Sequence, residues 1–95
     1  MRLDQEKAVF LKNNIQGMKP GAQVMLFGSR TDDQKKGGDI DILVLSQSKL
    51  SLSELLKIQV AFWKKFGEQK LDIVSFTFQE KDTFKEIALS DAIEL

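Results

Sequence analysis

The sequence predicts a small α/β (or α+β) domain, with helices packed on one small sheet. Two observations predict this class. Short apolar segments typical of strands alternate with segments of helical periodicity, in the order helix, strand, loop, strand, helix, strand, helix. Ser51 and Thr77 are each followed three positions later by glutamate, a pattern that starts helices. A chain of 95 residues is expected to form a single domain over residues 1–95.

The first helix and strand are separated by a clear break. Apolar residues recur every three or four positions over residues 4–18, and Asp4 is placed to cap the first turn. The segment 17–21 begins and ends in glycine and holds the only proline, so the helix should end there. Residues 23–27 are short, mainly apolar and followed by glycine, which is typical of a buried strand.

The middle of the chain is predicted as loop, strand and helix. Residues 28–38 are polar and contain glycine, which favours a loop. Residues 39–45 alternate at first and are then wholly apolar, so this strand should be exposed on one side only in its first half. Ser51 and Glu54 form a capping box before an amphipathic segment that Gly67 is placed to end.

The last third of the chain is predicted as strand and helix. Residues 70–76 read as a third strand. Thr77 and Glu80 form a second capping box, which is expected to open the final helix. The last five residues are expected either to fray or to extend. Whether the strands run parallel or mixed does not follow from these patterns.

Composition excludes several classes of function. Fourteen basic residues balance fourteen acidic ones, so no direct nucleic-acid binding through a basic surface is expected. The chain has no cysteine and no histidine, which excludes thiol chemistry, the Ser-His-Asp triad and histidine metal sites. The longest apolar runs are four residues, too short to cross a membrane. No signal-type stretch is present, so a cytoplasmic protein is the expectation.

Two aspartates in the second strand are the first candidate functional residues. Asp39 and Asp41 are two positions apart, so their side chains leave the same face with Cα atoms about 6.6 Å apart. Two like charges so close suit one or two hard cations. The alternative is a pair of solvated acids at a strand start. Against that alternative, the pair lies within strand-forming sequence, where aspartate is disfavoured.

Three further candidates lie in a strand or directly after one. Gly28 and Ser29 follow the first strand, where backbone amides and a hydroxyl group can approach a phosphate, although taken alone a plain turn is the better explanation. Asp72 lies between apolar residues of the third strand. An acid at such a position faces a site, a partner or solvent.

These segments together resemble a known family. Phe27-Gly-Ser-Arg30, then Gly38-Asp-Ile-Asp-Ile-Leu-Val44, then Leu71-Asp-Ile-Val74 resemble the minimal nucleotidyltransferases of the DNA polymerase beta superfamily. Members of this family are often encoded beside a HEPN-domain partner in toxin–antitoxin pairs. The resemblance covers nearly the whole chain. The combination of the three segments is specific, whereas each segment alone is not.

The resemblance implies a fold and a set of site residues. The implied fold is the nucleotidyltransferase fold, a small mixed sheet with helices packed on it. Carboxylate oxygens and substrate phosphates are ligands that Mg²⁺ favours, and none of them requires histidine or cysteine. The resemblance assigns nucleotide binding to Gly28, Ser29 and Arg30, and both magnesium binding and catalysis to Asp39, Asp41 and Asp72.

The resemblance also implies an activity and a partner. The implied reaction is Mg²⁺-dependent transfer of AMP from ATP to a hydroxyl group of a HEPN toxin, by a chain that acts as its antitoxin. One alternative is a catalytically weak or inactive module of the same fold that neutralises its partner by contact. A drug-modifying nucleotidyltransferase would normally need another domain to hold the acceptor. A homo-oligomer is left open.

Overall fold

This computed structural model of the protein describes residues 4–28 and 40–95. Three described segments are α-helices: α1 (Gln5–Met18), α2 (Leu52–Phe66) and α3 (Thr83–Asp91). Four described segments are β-strands: β1 (Gln23–Leu26), β2 (Ile40–Ser46), β3 (Leu71–Thr77) and β4 (Ile93–Glu94). Every helix and strand predicted from the described part of the sequence is therefore present, and apart from the start of α3 the bounds lie within a few residues of those expected.

The four strands form one mixed sheet in the order β3-β2-β1-β4. Strand β1 is antiparallel to β2 and β4, whereas β2 and β3 are parallel and joined by α2. The mixed sheet implied by the family resemblance is thus confirmed. The last residues extend rather than fray, because Leu26 pairs with Ile93 and the Leu95 amide donates to the Val24 carbonyl at 2.9 Å.

One face of the sheet carries the main core, which α1 and α2 cover. Ile40, Ile42 and Val44 on β2 are fully buried there, as their alternation predicted. The ring of Phe62 on α2 is also fully buried, 6.1 Å from the ring of Phe10 on α1. This core fixes how β2 is oriented. The intervening residues of β2 therefore point to the other face.

The opposite face, called here the α3 face, is covered less completely. Its buried residues are Met25, Leu43, Leu45 and Ala88. Phe27 and Phe76 at its borders are only half-buried. Since α3 has nine residues and the sheet has four strands, part of this face stays accessible to solvent.

The capping box of α2 forms as predicted. The Ser51 amide donates to Glu54 Oε1 at 2.8 Å, and the Glu54 amide donates to Ser51 Oγ at 3.1 Å. The Ser51 hydrogen bond, together with the nearby positive charge of Lys19, holds the pKa of Glu54 below its ordinary value of 4.5. The helix ends at Gly67, where φ is +90°, a conformation that glycine adopts without strain.

The second predicted capping box does not open a helix. Thr77 is the last residue of β3, and α3 begins only at Thr83, capped by Asp82, whose Oδ1 accepts from the Lys85 amide at 3.0 Å. The Glu80 carboxylate does accept a hydrogen bond from the Thr77 amide, at 3.2 Å. That bond closes a turn after the strand, so the expected helix start was wrong.

A buried lysine explains why the turn replaces a helical turn. Lys85 is 7% exposed, and its Nζ donates to the carbonyls of Thr77, Phe78 and Glu80 at 3.0, 3.0 and 2.7 Å. These carbonyls converge on one ammonium group instead of accepting bonds along a helix axis. Lys85 therefore ties the end of β3 to α3.

Candidate functional site

Two of the predicted acids lie side by side on neighbouring parallel strands. Asp41 on β2 is in register with Asp72 on β3. Residues in register on adjacent strands share a face, and the strands are about 4.8 Å apart. Asp41 is half-buried, and the side chain of Asp72 is 48% exposed. The structure thus brings these two carboxylates together, while their catalytic and metal-binding roles stay predictions.

The acids lie on the α3 face, at the end of the sheet where β2 and β3 begin. Ile40 and Ile42 point into the main core, so alternation places Asp41 on the opposite face together with Leu43. The main core occupies the other side of the sheet. A ligand at the acids would therefore approach from the accessible side.

Gly28 lies directly beside Asp41. The amide of the preceding residue, Phe27, donates to the Asp41 carbonyl at 3.0 Å, which aligns the end of β1 with the start of β2. Gly28 has a φ of +73°, and a Cβ atom built on it would lie 2.9 Å from Asp41 Oδ2. The absence of a side chain at this position leaves room around the carboxylate. The predicted role of Gly28, a close approach of its backbone to a nucleotide phosphate, stays a prediction.

Three predicted site residues, Ser29, Arg30 and Asp39, lie outside the described residues. Within residues 4–28 and 40–95, no three metal-ligating side chains cluster together. The described part of the chain therefore holds two of the three carboxylates assigned to the site, Asp41 and Asp72. The donor set itself fits magnesium, since both groups supply carboxylate oxygens.

Lys70 is a neighbour of the site that sequence reasoning did not single out. Its Nζ lies 3.9 Å from Asp72 Oδ2, and both side chains are substantially exposed. An exposed ion pair of this kind contributes about 0–1 kcal/mol, so stability does not account for it well. An ammonium group beside the acids is suited to an anionic substrate. Its position two residues before Asp72 was the signal available in the sequence.

Gly28→Ala should reduce both stability and any activity of this site. The left-handed backbone costs alanine about 1–2 kcal/mol, and its Cβ would press on the Asp41 carboxylate at 2.9 Å. Thermal unfolding and transfer assays would measure the two effects. Gly67→Ala is the matched control, because Gly67 also has a positive φ, but a Cβ atom added there would meet nothing within 4 Å. Equal activity in the two variants would contradict the role of Gly28.

The chain is similar to one known protein family over most of its length. The model of the family described as "Polymerase beta, Nucleotidyltransferase" matches residues 8–95. No curated protein matches significantly. None of the described helices is long and apolar enough to cross a membrane.

Solved structures of toxin–antitoxin complexes share the fold. A chain of a mutant MntA–HpeT toxin–antitoxin is 21% identical with a TM-score of 0.60, and the match covers 98% of this chain and 71% of that one. A toxin–antitoxin with AMP-PNP is 20% identical with a TM-score of 0.64, and the match covers 97% of this chain and 72% of that one. A chain from the complex of a tri-AMPylated Shewanella oneidensis HEPN toxin with an MNT antitoxin is 16% identical with a TM-score of 0.62. That match covers 97% of this chain and 71% of the other. At these identities the likeness shows the fold.

Proposed function

Because the chain belongs to the polymerase beta nucleotidyltransferase family, we propose that it transfers AMP from ATP to a hydroxyl group of a HEPN toxin and acts as that toxin's antitoxin. The observation that carries the proposal is the register of Asp41 with Asp72 beside the side-chain-free Gly28. The AMPylated HEPN toxin found with an MNT antitoxin supports the choice of group and acceptor.

The reaction would be a displacement at the α-phosphorus of ATP. The acceptor hydroxyl oxygen forms a bond to phosphorus, the bond from phosphorus to the pyrophosphate oxygen breaks, and pyrophosphate leaves. Asp72, exposed on the accessible face, would accept the hydroxyl proton. Lys70 beside it would attract the triphosphate, and Gly28 would let the phosphates approach the backbone.

Magnesium fits the donor set of this site. Asp41 and Asp72, together with Asp39, would hold the ion through carboxylate oxygens. Bound magnesium supplies neutralisation of the charge on the triphosphate. The chain's own part is to keep two like charges next to each other on adjacent strands, an arrangement that costs stability when no cation is near.

Thermal unfolding with and without magnesium and ATP tests the proposal. Added Mg²⁺ should raise the melting temperature, and more so with ATP, because a ligand that binds the folded state stabilises it. Replacing Asp39 and Asp41 together by asparagine should remove this response and leave the metal-free protein equally or more stable. If the melting temperature of the parent protein does not change when Mg²⁺ and ATP are added, the proposed site is refuted.

The proposed HEPN partner fits an exposed apolar face on α2. This α2 face comprises side chains four or three residues apart along the helix, all exposed: Leu52, Leu56, Val60 and Trp63. Lys57 and Lys64 border it on one side, where none of the described lining residues is acidic, and Asp72 lies beside Leu56 on the other side. A second copy would bring lysines against lysines, so a partner surface with apolar and acidic groups fits better. The same contact would be needed under the alternative function, in which the protein neutralises the toxin by binding it without catalysis.

Leu56→Glu should separate the protein from its HEPN partner. Leu56 is 56% exposed in the middle of the α2 face, so glutamate there leaves the fold intact and places a charge in the interface. Co-expression with the proposed HEPN partner, followed by size exclusion, should show two peaks where the parent shows one. Val9→Glu is the control, since Val9 is 46% exposed on α1. Co-elution of Leu56→Glu at micromolar concentration would exclude this face.

A further inference from the structure

An exposed aromatic ring lies on the α3 face near the acids. Phe84, in the first turn of α3, is 49% exposed. Its ring is nonetheless held by two others: the centroid of Phe27 lies 5.9 Å away at an interplanar angle of 85°, and that of Phe76 lies 6.5 Å away at 33°. The ring is thus fixed in place while half of the residue's surface remains accessible.

The two contacts locate this ring on the sheet. Phe27 adjoins Asp41 through its amide, at the end of β1. Phe76 on β3 is in register with Leu45 of β2. Because β2 lies between β1 and β3, a ring that contacts both neighbours lies over β2, between positions 41 and 45. The ring therefore lies near Leu43. Leu43 is two residues from Asp41, which corresponds to about 6.6 Å along a strand.

The placement puts an aromatic surface beside the carboxylates on one accessible face. Asp41 and Leu43 both point to the α3 face, so nothing of the sheet itself separates the acids from the Phe84 ring. A nucleoside triphosphate matches this arrangement of charged and aromatic groups, because it has charged phosphates at one end and a flat base at the other, joined by a ribose. Bases stack on aromatic side chains whatever their identity, since every base has a π-face.

We propose that Phe84 is the platform on which the base of the bound nucleotide stacks. The inference rests on the proposed function, because the acids and Gly28 must hold the phosphates. Stacking of this kind gives affinity and little choice among bases. Phe84 would therefore strengthen ATP and GTP binding by similar factors, and the selection of adenine would come from other groups.

Comparing ATP with inorganic tripolyphosphate, each with Mg²⁺, tests the platform. Tripolyphosphate carries the phosphates and lacks the base. Phe84→Leu keeps an apolar side chain on α3 and removes the ring, and it should weaken both ATP and GTP about tenfold while tripolyphosphate binds as to the parent. Phe84→Trp should restore nucleotide binding. Ile87→Ala, one turn further along α3 and 63% exposed, is the control and should bind all three ligands like the parent.

Three other results would each refute the proposed stacking role of Phe84, and each would do so for a different reason. If Phe84→Leu binds ATP as tightly as the parent, the base lies elsewhere and the proposed function stands. If ATP and tripolyphosphate weaken equally, the ring supports the phosphate site and does not contact the base. If the parent binds neither ligand, the proposed function fails and the platform fails with it. Unfolding temperatures of the variants would confirm that each is folded.

Discussion

Asp72→Asn is expected to slow AMP transfer by about 10²–10⁴-fold, the usual contribution of a general base, with Mg²⁺–ATP binding largely retained. Asparagine keeps the size of the side chain but does not accept the proton of the attacking hydroxyl group. Because the Asp72 side chain is 48% exposed and its ion pair with Lys70 is long at 3.9 Å, the substitution should change stability by no more than about 0.5 kcal/mol. Single-turnover transfer to the HEPN partner would measure the rate.

Binding and transfer must be measured on the same protein. Asp91→Asn is the matched control, since Asp91 is an exposed acid at the end of α3 and should transfer at the parent rate. Transfer by Asp72→Asn at the parent rate would show that Asp72 is a solvated acid. Loss of ATP binding together with transfer would show that Asp72 acts mainly by holding the metal ion and the nucleotide, and not as the general base.

Lys85→Met should be among the most destabilising changes on the α3 face. Lys85 is nearly buried and donates to three carbonyls. Methionine has a similar length but no donor, so those carbonyls lose charge-assisted bonds worth about 1.5–3 kcal/mol each before water replaces part of them. A net loss of about 2–3 kcal/mol follows, which lowers the melting temperature by at least about 8 °C in a domain of this size.

Lys81→Met is the control for that change. Lys81 is exposed two residues before α3 begins, and its replacement should shift the free energy of unfolding by about 0.5 kcal/mol at most. A similar small shift for Lys85→Met would mean that water satisfies the three carbonyls as well as the ammonium group does. The turn after β3 would then be held mainly by its other hydrogen bonds, among them those from the Thr77 amide to Glu80 and from the Phe78 amide to the Ser46 carbonyl.

Local patterns predicted most of the secondary structure and part of the site. The alternation of Ile40, Ile42 and Val44 predicted which side of β2 enters the core, and the position of Asp41 among them predicted an acid on the other side. These signals are local, since a strand's period of two and a capping box span only a few residues. The placement of Asp72 beside Asp41 did not follow from these local patterns, because it depends on which strands are neighbours in the sheet.

The features that sequence reasoning missed depend on contacts distant in the chain. The pairing of Ile93 with Leu26 is set by the open edge of β1, which no pattern in the last five residues reveals. The start of α3 was predicted too early because Thr77 and Glu80 satisfy the capping pattern. Lys85 takes the carbonyls of that turn instead, and a buried lysine has no distinctive sequence signal.

The sheet order gives the two described acids unequal protection against local opening. Asp41 lies on β2, which is hydrogen-bonded on both sides, whereas Asp72 lies on β3 at the edge. Backbone amides of an inner strand exchange with deuterium mainly through global unfolding, while those of an edge strand also exchange through smaller fluctuations. The distance between the two carboxylates therefore varies mainly with fluctuations of β3, because β2 opens less often. A bound nucleotide would slow exchange in both strands by stabilising the folded state, and in β3 it would also suppress the smaller fluctuations.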